Sequence, residues 1–305
     1  MNSTPAPSRA QAAYLGLALG DALGATVEFM TPREIVGRHG VHRDLIGGGW
    51  LRLRPGRVTD DTTMALALGQ AIIDQAGRVD ALACAQAFDA WMRSKPVDIG
   101  NTVRRNLIHF RQTGSPLAPA SEHDAGNGAV MRLLPAVLVT LGASEEAVVA
   151  AVQTQARVTH NNALSDAACK FLALAVQDAV RGASLRDIYR GHIQPFLVAY
   201  PIYNWRGRRN DNPSGYVVDT LRTVLQSLMN TGDFEECLID VVNRGGDADT
   251  TGAIAGMLAG ALYGLESLPA RWISALNADI RLRVHDQAQA LLRLSPACRG
   301  AYKAR

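Results

Sequence analysis

The chain has 305 residues, 48% of them hydrophobic and 19% charged, and a net charge of +3. This is the composition of a globular protein with ample core, and the scattered Lys and Arg exclude a basic face that would track nucleic acid. The longest apolar run, Ala253 to Leu265, is too short to span a bilayer. Cys84, Cys169, Cys237 and Cys298 lie far apart with no CxxC, which suits reduced thiols in the cytoplasm.

Residues 1–9 carry Pro5 and Pro7 and no apolar h-region, so they read as a disordered tail and not a signal peptide. Ala10 to Val27 is predicted as a helix with Gly16, Gly20 and Gly24 at four-residue spacing. Gly252, Gly256 and Gly260 repeat that spacing near the other end of the chain. A glycine costs about 1 kcal/mol inside a helix, so two such ridges predict two helices crossing backbone against backbone. That crossing brings Asp21 and Glu28 near the acidic residues before Gly252. Thr31 to Pro55 reads as a long loop rich in glycine, with Trp50 after Gly47-Gly48-Gly49; a loop of this length usually covers or performs something.

Thr59 is expected to cap a helix running to Gln75. Further helices are predicted over Ala81–Arg93, Asn101–Gln112, Ala129–Leu141 and Glu145–Arg157. Another carries Leu164, Ala168, Phe171 and Ala175, and Ser184–Tyr200 follows with an interruption near Pro195. Val217 to Leu228, Phe234–Val242, Pro269–Asp279 and Arg281–Leu294 complete the set. No period-two alternation, repeat or low-complexity linker divides the chain. The expected fold is all-α, a single compact multi-helix domain over residues 10–305.

Two stretches carry the chemistry. Asn243 to Gly252 contains Asp247, Asp249 and Thr250, and Thr59-Asp60-Asp61-Thr62-Thr63 repeats the arrangement at another helix start. Neighbouring carboxylates repel, and a helix N-terminus offers only about half a positive charge. Capping, the plain alternative, therefore accounts for one aspartate in each cluster and not two. Facing each other, the clusters would make an oxygen-lined cage for hard divalent cations, Mg²⁺ or Mn²⁺ and not zinc.

Five polar patches at helix starts extend the pattern: Gly24 to Glu28, Thr59 to Thr62, Asp98 to Asn101, Gly126-Asn127-Gly128, and Gly246 to Thr250. With Gly16 to Phe29, Gly47 to Leu53, Asp124 to Gly128, Thr159 to Asn161, Leu164 to Cys169 and Asn243 to Gly264, they resemble the ADP-ribosylglycohydrolase family over nearly the whole chain. The closest likeness is to its bacterial branch, the dinitrogenase reductase-activating glycohydrolases. The resemblance implies an all-helical fold holding two divalent cations, Mn²⁺ or Mg²⁺, at the base of an ADP-ribose cleft. It implies Thr59, Asp60, Asp61, Asp247, Asp249 and Thr250 as metal ligands, with Glu28 at the metal centre as ligand or catalytic carboxylate. Asp98 would lie beside the scissile ribose with Asn101 as its partner, and His160 near the reacting groups. Gly126, Asn127 and Gly128 would approach the diphosphate, for which close backbone N–H groups are suited, and Tyr216 the adenosine.

The implied reaction is hydrolysis of the N-glycosidic bond joining ADP-ribose to an arginine of dinitrogenase reductase, which would reactivate nitrogenase. A PII signalling protein and a membrane ammonium transporter are implied partners, giving reversible membrane association to a cytoplasmic monomer. Two rivals are a metal-dependent phosphohydrolase cutting the diphosphate, whose chemistry two metals also suit, and a module that binds ADP-ribose without cleaving it.

Overall fold

The computed structural model describes residues 6–298, and among them it forms helices and no strands, only two isolated antiparallel bridges, Gly48 with Leu53 and Gly126 with Tyr216. In order the helices are α1 (Ala6–Gly24), α2 (Pro32–His39), α3 (Asp60–Asp74), α4 (Ala81–Arg93), α5 (Asn101–Thr113), α6 (Leu134–Val139), α7 (Glu145–Ala156) and α8 (Ala163–Val180). They continue as α9 (Leu185–Ile188), α10 (Gln194–Ala199), α11 (Val217–Asn230), α12 (Phe234–Val242), α13 (Ala248–Tyr263), α14 (Ala270–Ala275) and α15 (Ala278–Leu294).

α1 and α13 form the centre. Both are apolar on every side and buried along nearly their whole length, the pattern of a helix enclosed by others. They cross antiparallel, and the glycine ridges meet as predicted. A Cβ built on Gly20 would stand 1.9 Å from the carbonyl oxygen of Gly252, and one on Gly16 2.1 Å from that of Gly256. Only hydrogen fits at these positions. The crossing is also tied at its far end, where Arg9 donates to the carbonyls of Ala261 and Leu262 in the last turn of α13. α3, α8, α11, α12 and α15 pack around this pair.

Several boundaries differ from the sequence reading. α1 begins at Ala6, so four residues of the expected tail are helical, and the first five lie outside the described residues. The loop expected over Thr31–Pro55 contains α2, started by a capping box between Thr31 and Glu34 with Pro32 in its first turn. It escaped notice because Ile35 is its sole buried residue, which leaves almost no apolar periodicity to read. The helix expected from Ala129 is confined to Leu134–Val139, and the segment before it is a series of turns. Between Ser184 and Tyr200 the interruption is a π-helical turn, Tyr189–Ile193, which ends where Pro195 enters the first turn of α10. α14 stops at Ala275, and Asn277 accepts from the Asp279 and Ile280 N–H groups to start α15 three residues early.

Candidate metal centre

Four separate pieces of backbone converge at one end of the α1–α13 crossing. Glu28 follows the last turn of α1; Asp60 and Asp61 open α3; Asp98 precedes α5; Asp247, Asp249 and Thr250 open α13. The approach to α13 depends on two glycines at positive φ. A Cβ on Gly245 would strike the Met30 carbonyl at 2.0 Å, and one on Gly246 the Pro213 carbonyl at 2.1 Å. The turn thus threads between two main-chain segments and delivers Asp247 inward.

Capping does not explain these acids. Thr59 and Asp247 occupy the N-cap positions of α3 and α13, yet neither side chain caps its helix, which corrects the expectation for Thr59. The start of α3 is capped from outside by Asp21 of α1. Its carboxylate accepts from Thr59 N (2.8 Å), Thr62 N (3.1 Å) and the hydroxyls of both threonines. Asp60 and Asp61 are therefore free of that duty.

Carboxylate oxygens of Glu28, Asp247 and Asp249 lie within 4.8 Å of one another, as do those of Asp60, Asp98 and Asp249. Asp249 belongs to both groups. The cavity above them, about 440 Å³, is also lined by Phe29, Trp50, Asn101, Gly126, Asn127, Gly128 and His160, and no Lys or Arg among the described residues lines it. Thr59 Oγ1 lies 3.0, 3.1 and 3.2 Å from oxygens of Asp21, Asp61 and Asp249, but its one proton serves one of them at a time. Asp61 Oδ1 is buried with no hydrogen-bond partner.

This is an excess of acceptors over donors. Burial, and then repulsion from Asp98, Asp21 and Asp247, pushes Asp60 up to about 8. Burial and the neighbouring acids do the same to Glu28, to about 8, although the Trp50 N–H opposes the rise. Asp61 is driven well above the carboxylate range by burial and then by Asp21, Asp60 and Asp247, and Asp249 by burial and then by Glu28, Asp61 and Asp247. Asp247 rises through burial, against a hydrogen bond from Asn127. Such a set can be ionised together only with cations among its members. An all-oxygen donor set, with one orphaned buried oxygen, fits hard divalent ions.

The remaining predicted residues fall around the cavity. Asn127 Nδ2 donates to Asp247 and to Thr220 Oγ1 (2.9 Å), fixing the Gly126–Gly128 segment to the acidic floor. Asn101 is the first residue of α5, whose N-cap, Gly100, has no side chain to offer its N–H groups. His160 lies beneath Gly126 and Gly128, and a Cβ on either would come within 2.9 Å of its ring. Its Nδ1 meets Thr159 Oγ1 at 2.8 Å, and Arg132 donates to that same hydroxyl at 2.7 Å. Burial, with Arg132 and Arg105 nearby, lowers His160 to about 3. Tyr216 stands outside the lining; it pairs with Gly126 through an isolated bridge while its neighbour Gly215 faces the cavity.

Two residues at the site received no role from the sequence. Asp21 was foreseen only as a neighbour, though a lone acid in a glycine-ridged apolar helix was its signal. Trp50 was visible only as the aromatic after three glycines.

The matching family model, ADP-ribosylglycohydrolase, covers residues 2–301, and the chain belongs to that family. Among individual proteins, one from Rhodospirillum rubrum called ADP-ribosyl-[dinitrogen reductase] glycohydrolase is 47% identical over 287 residues, 94% of this chain and 96% of its own. The ADP-ribosylarginine hydrolase Tri1 of Serratia proteamaculans is 33% identical over 94% of this chain and 80% of its own. A solved structure described as an ADP-ribosylglycohydrolase-related protein complex superposes with a TM-score of 0.84 at 36% identity, over 95% of this chain and 98% of that one.

Proposed function

We propose that this chain is a divalent-metal-dependent hydrolase that removes ADP-ribose from an arginine side chain, and that its protein target is dinitrogenase reductase. The observation that carries the chemistry is Asp249 shared between two carboxylate groups in a cavity without basic lining. The target follows from the name of the Rhodospirillum rubrum relative and its end-to-end similarity.

Glu28, Asp247 and Asp249 would hold one ion, and Asp60, Asp98 and Asp249 the other; Thr59, Asp61 and Thr250 complete the surroundings. Two ions, Mn²⁺ or Mg²⁺, would supply fixed positive charge that orients the ribose and makes an adjacent water easier to deprotonate. Cleavage of a ribosyl C–N bond passes through an oxocarbenium-like state, which the surrounding carboxylates favour electrostatically. Asp98 reaches the cavity from the loop before α5 and would steer the proton from the attacking water. Glu28, buried and held by the Trp50 N–H, helps keep the leaving guanidine cationic. Gly126 and Gly128 let main-chain N–H groups approach a diphosphate, and Asn101 stands at the facing helix start. His160, neutral and enclosed, acts as the support beneath that segment and not as a proton donor. Tyr216, outside the cavity lining, would reach only the adenosine end.

The resemblance extends this reading to a PII signalling protein and an ammonium transporter as regulators, with transient membrane association of a monomer. No helix among the described residues is long and apolar enough to cross a membrane.

The test incubates arginine-ADP-ribosylated iron protein with the enzyme and Mn²⁺, then with chelator. Free ADP-ribose released only in the first case supports the proposal. AMP plus ribose phosphate would assign diphosphate cleavage instead, and binding without turnover under any divalent metal would make the protein a module.

A further inference from the structure

At the mouth of the cavity two large aromatic side chains are turned toward solvent. Phe29 is 64% exposed and Trp50 52% exposed, and their rings meet at 5.4 Å with a tilt of 44°. Neither placement is a passive consequence of a short loop. Phe29 holds a positive φ of 62°, a strained conformation for an aromatic residue, stabilised by its N–H bond to the Gly246 carbonyl at 2.7 Å. Trp50 is presented by three successive glycines at positive φ, and Gly49 rests so closely on the end of α1 that a Cβ there would meet the Ala25 carbonyl at 2.3 Å. The indole N–H then turns inward and donates to Glu28 Oε2 at 2.7 Å. Its ring faces outward. Backbone strain that exposes apolar rings beside a polar cavity marks a surface that meets a ligand.

The chemistry of that ligand follows from position. The ring pair is one side chain away from the carboxylates that would hold the ribose-orienting ions, and so adjacent to the bond that breaks. An adenine, separated from that bond by two riboses and two phosphates, belongs farther off. The group next to the scissile bond on the other side is the arginine guanidinium. Planar guanidinium stacks well on aromatic faces, and the cation–π contacts made by Arg132 and Arg271 among the described residues lie on other rings. The Glu28 carboxylate beneath the indole adds an anionic partner.

We propose that Phe29 and Trp50 form the guanidinium subsite, a cation–π shelf that selects an arginine-linked substrate, with Trp50 also positioning Glu28 through its N–H. The proposal rests on the reading of the protein as an ADP-ribosylarginine hydrolase. It is tested with ADP-ribosylagmatine, which carries the guanidinium, and with ADP-ribose, which lacks it. Loss of a cation–π contact on solvent-facing rings predicts that Phe29→Ala and Trp50→Leu each raise KM for ADP-ribosylagmatine about fivefold. In Phe29→Ala, which leaves the Trp50–Glu28 bond intact, the Kd for ADP-ribose should stay within about twofold. Trp50→Phe keeps a ring and loses the N–H to Glu28, so KM should stay near wild type while kcat falls. Equal weakening of ADP-ribose binding would place the rings against the nucleotide and overturn the proposal, as would an unchanged KM in Phe29→Ala. Wild-type enzyme that binds ADP-ribose but leaves ADP-ribosylagmatine intact would instead remove the underlying hydrolase reading.

Discussion

Replacing Gly20 with alanine adds one methyl at the tightest point of the α1–α13 crossing. The new Cβ would lie 1.9 Å from the Gly252 carbonyl oxygen and 2.9 Å from the Ala253 nitrogen, both main-chain atoms that cannot rotate away. Restoring ordinary contact requires the helices to part by about 1.5 Å, an overpacking whose cost lies at or above the upper end of the usual range, about 3 kcal/mol. For a domain of this size that corresponds to a fall in Tm of about 6 °C. The same crossing joins Asp21 and Glu28 at one end of α1 to Asp247 and Asp249 at the start of α13, so separation also spreads the acidic groups. Mn²⁺ affinity should fall with stability. Gly37→Ala serves as control: Gly37 is exposed in mid-helix in α2 with nothing near its missing Cβ, and the change should stabilise by up to about 1 kcal/mol. Calorimetry with and without Mn²⁺ reads both. Gly20→Ala with native Tm and native Mn²⁺ response would refute the backbone contact and its link to the site.

Two further outcomes follow from the same geometry. Glu28 and Asp60 titrate near 8 in the folded protein, against about 4 for free carboxyls. Because their folded values are raised, their contribution to stability is complete below pH about 4 and lost as pH rises through about 8. Chelated protein should therefore show a falling Tm from pH 5 to 8, while the Tm gain on adding Mn²⁺ grows over the same interval; a flat or rising chelated curve would contradict the clustering. Asp21→Ala removes the acceptor for Thr59 and Thr62 and uncaps α3, at a cost of about 2 kcal/mol or more, seen as a lower urea midpoint with unchanged slope. An unshifted midpoint would show that α3 is held otherwise.

Much of this centre was legible because it is written in residue types that have no cheaper use. A glycine every four residues on each of two helices has no local rationale, and these ridges named the crossing that places both acidic clusters. Paired aspartates at helix starts exceeded what a helix end can use, and they named the acidic groups that could hold a cation. What stayed hidden depends on partners distant in sequence. Asp21 caps a helix 38 residues away, so no local pattern reports it. Thr59 sits at an N-cap position, yet its hydroxyl turns to three carboxylates, because tertiary electrostatics outweigh the local cap. Trp50 gains its role from a single bond to Glu28. α2, with one buried residue, leaves too faint a period to separate from loop.

The count of Mn²⁺ ions bound per chain at pH 8, read by electron paramagnetic resonance on wild type, Asp60→Asn and Asp249→Asn, probes the shared carboxylate itself. Two ions are expected for wild type, one for Asp60→Asn and none held tightly by Asp249→Asn, whose carboxylate serves both groups. Two ions retained by Asp249→Asn would contradict the binuclear centre and the hydrolase built on it.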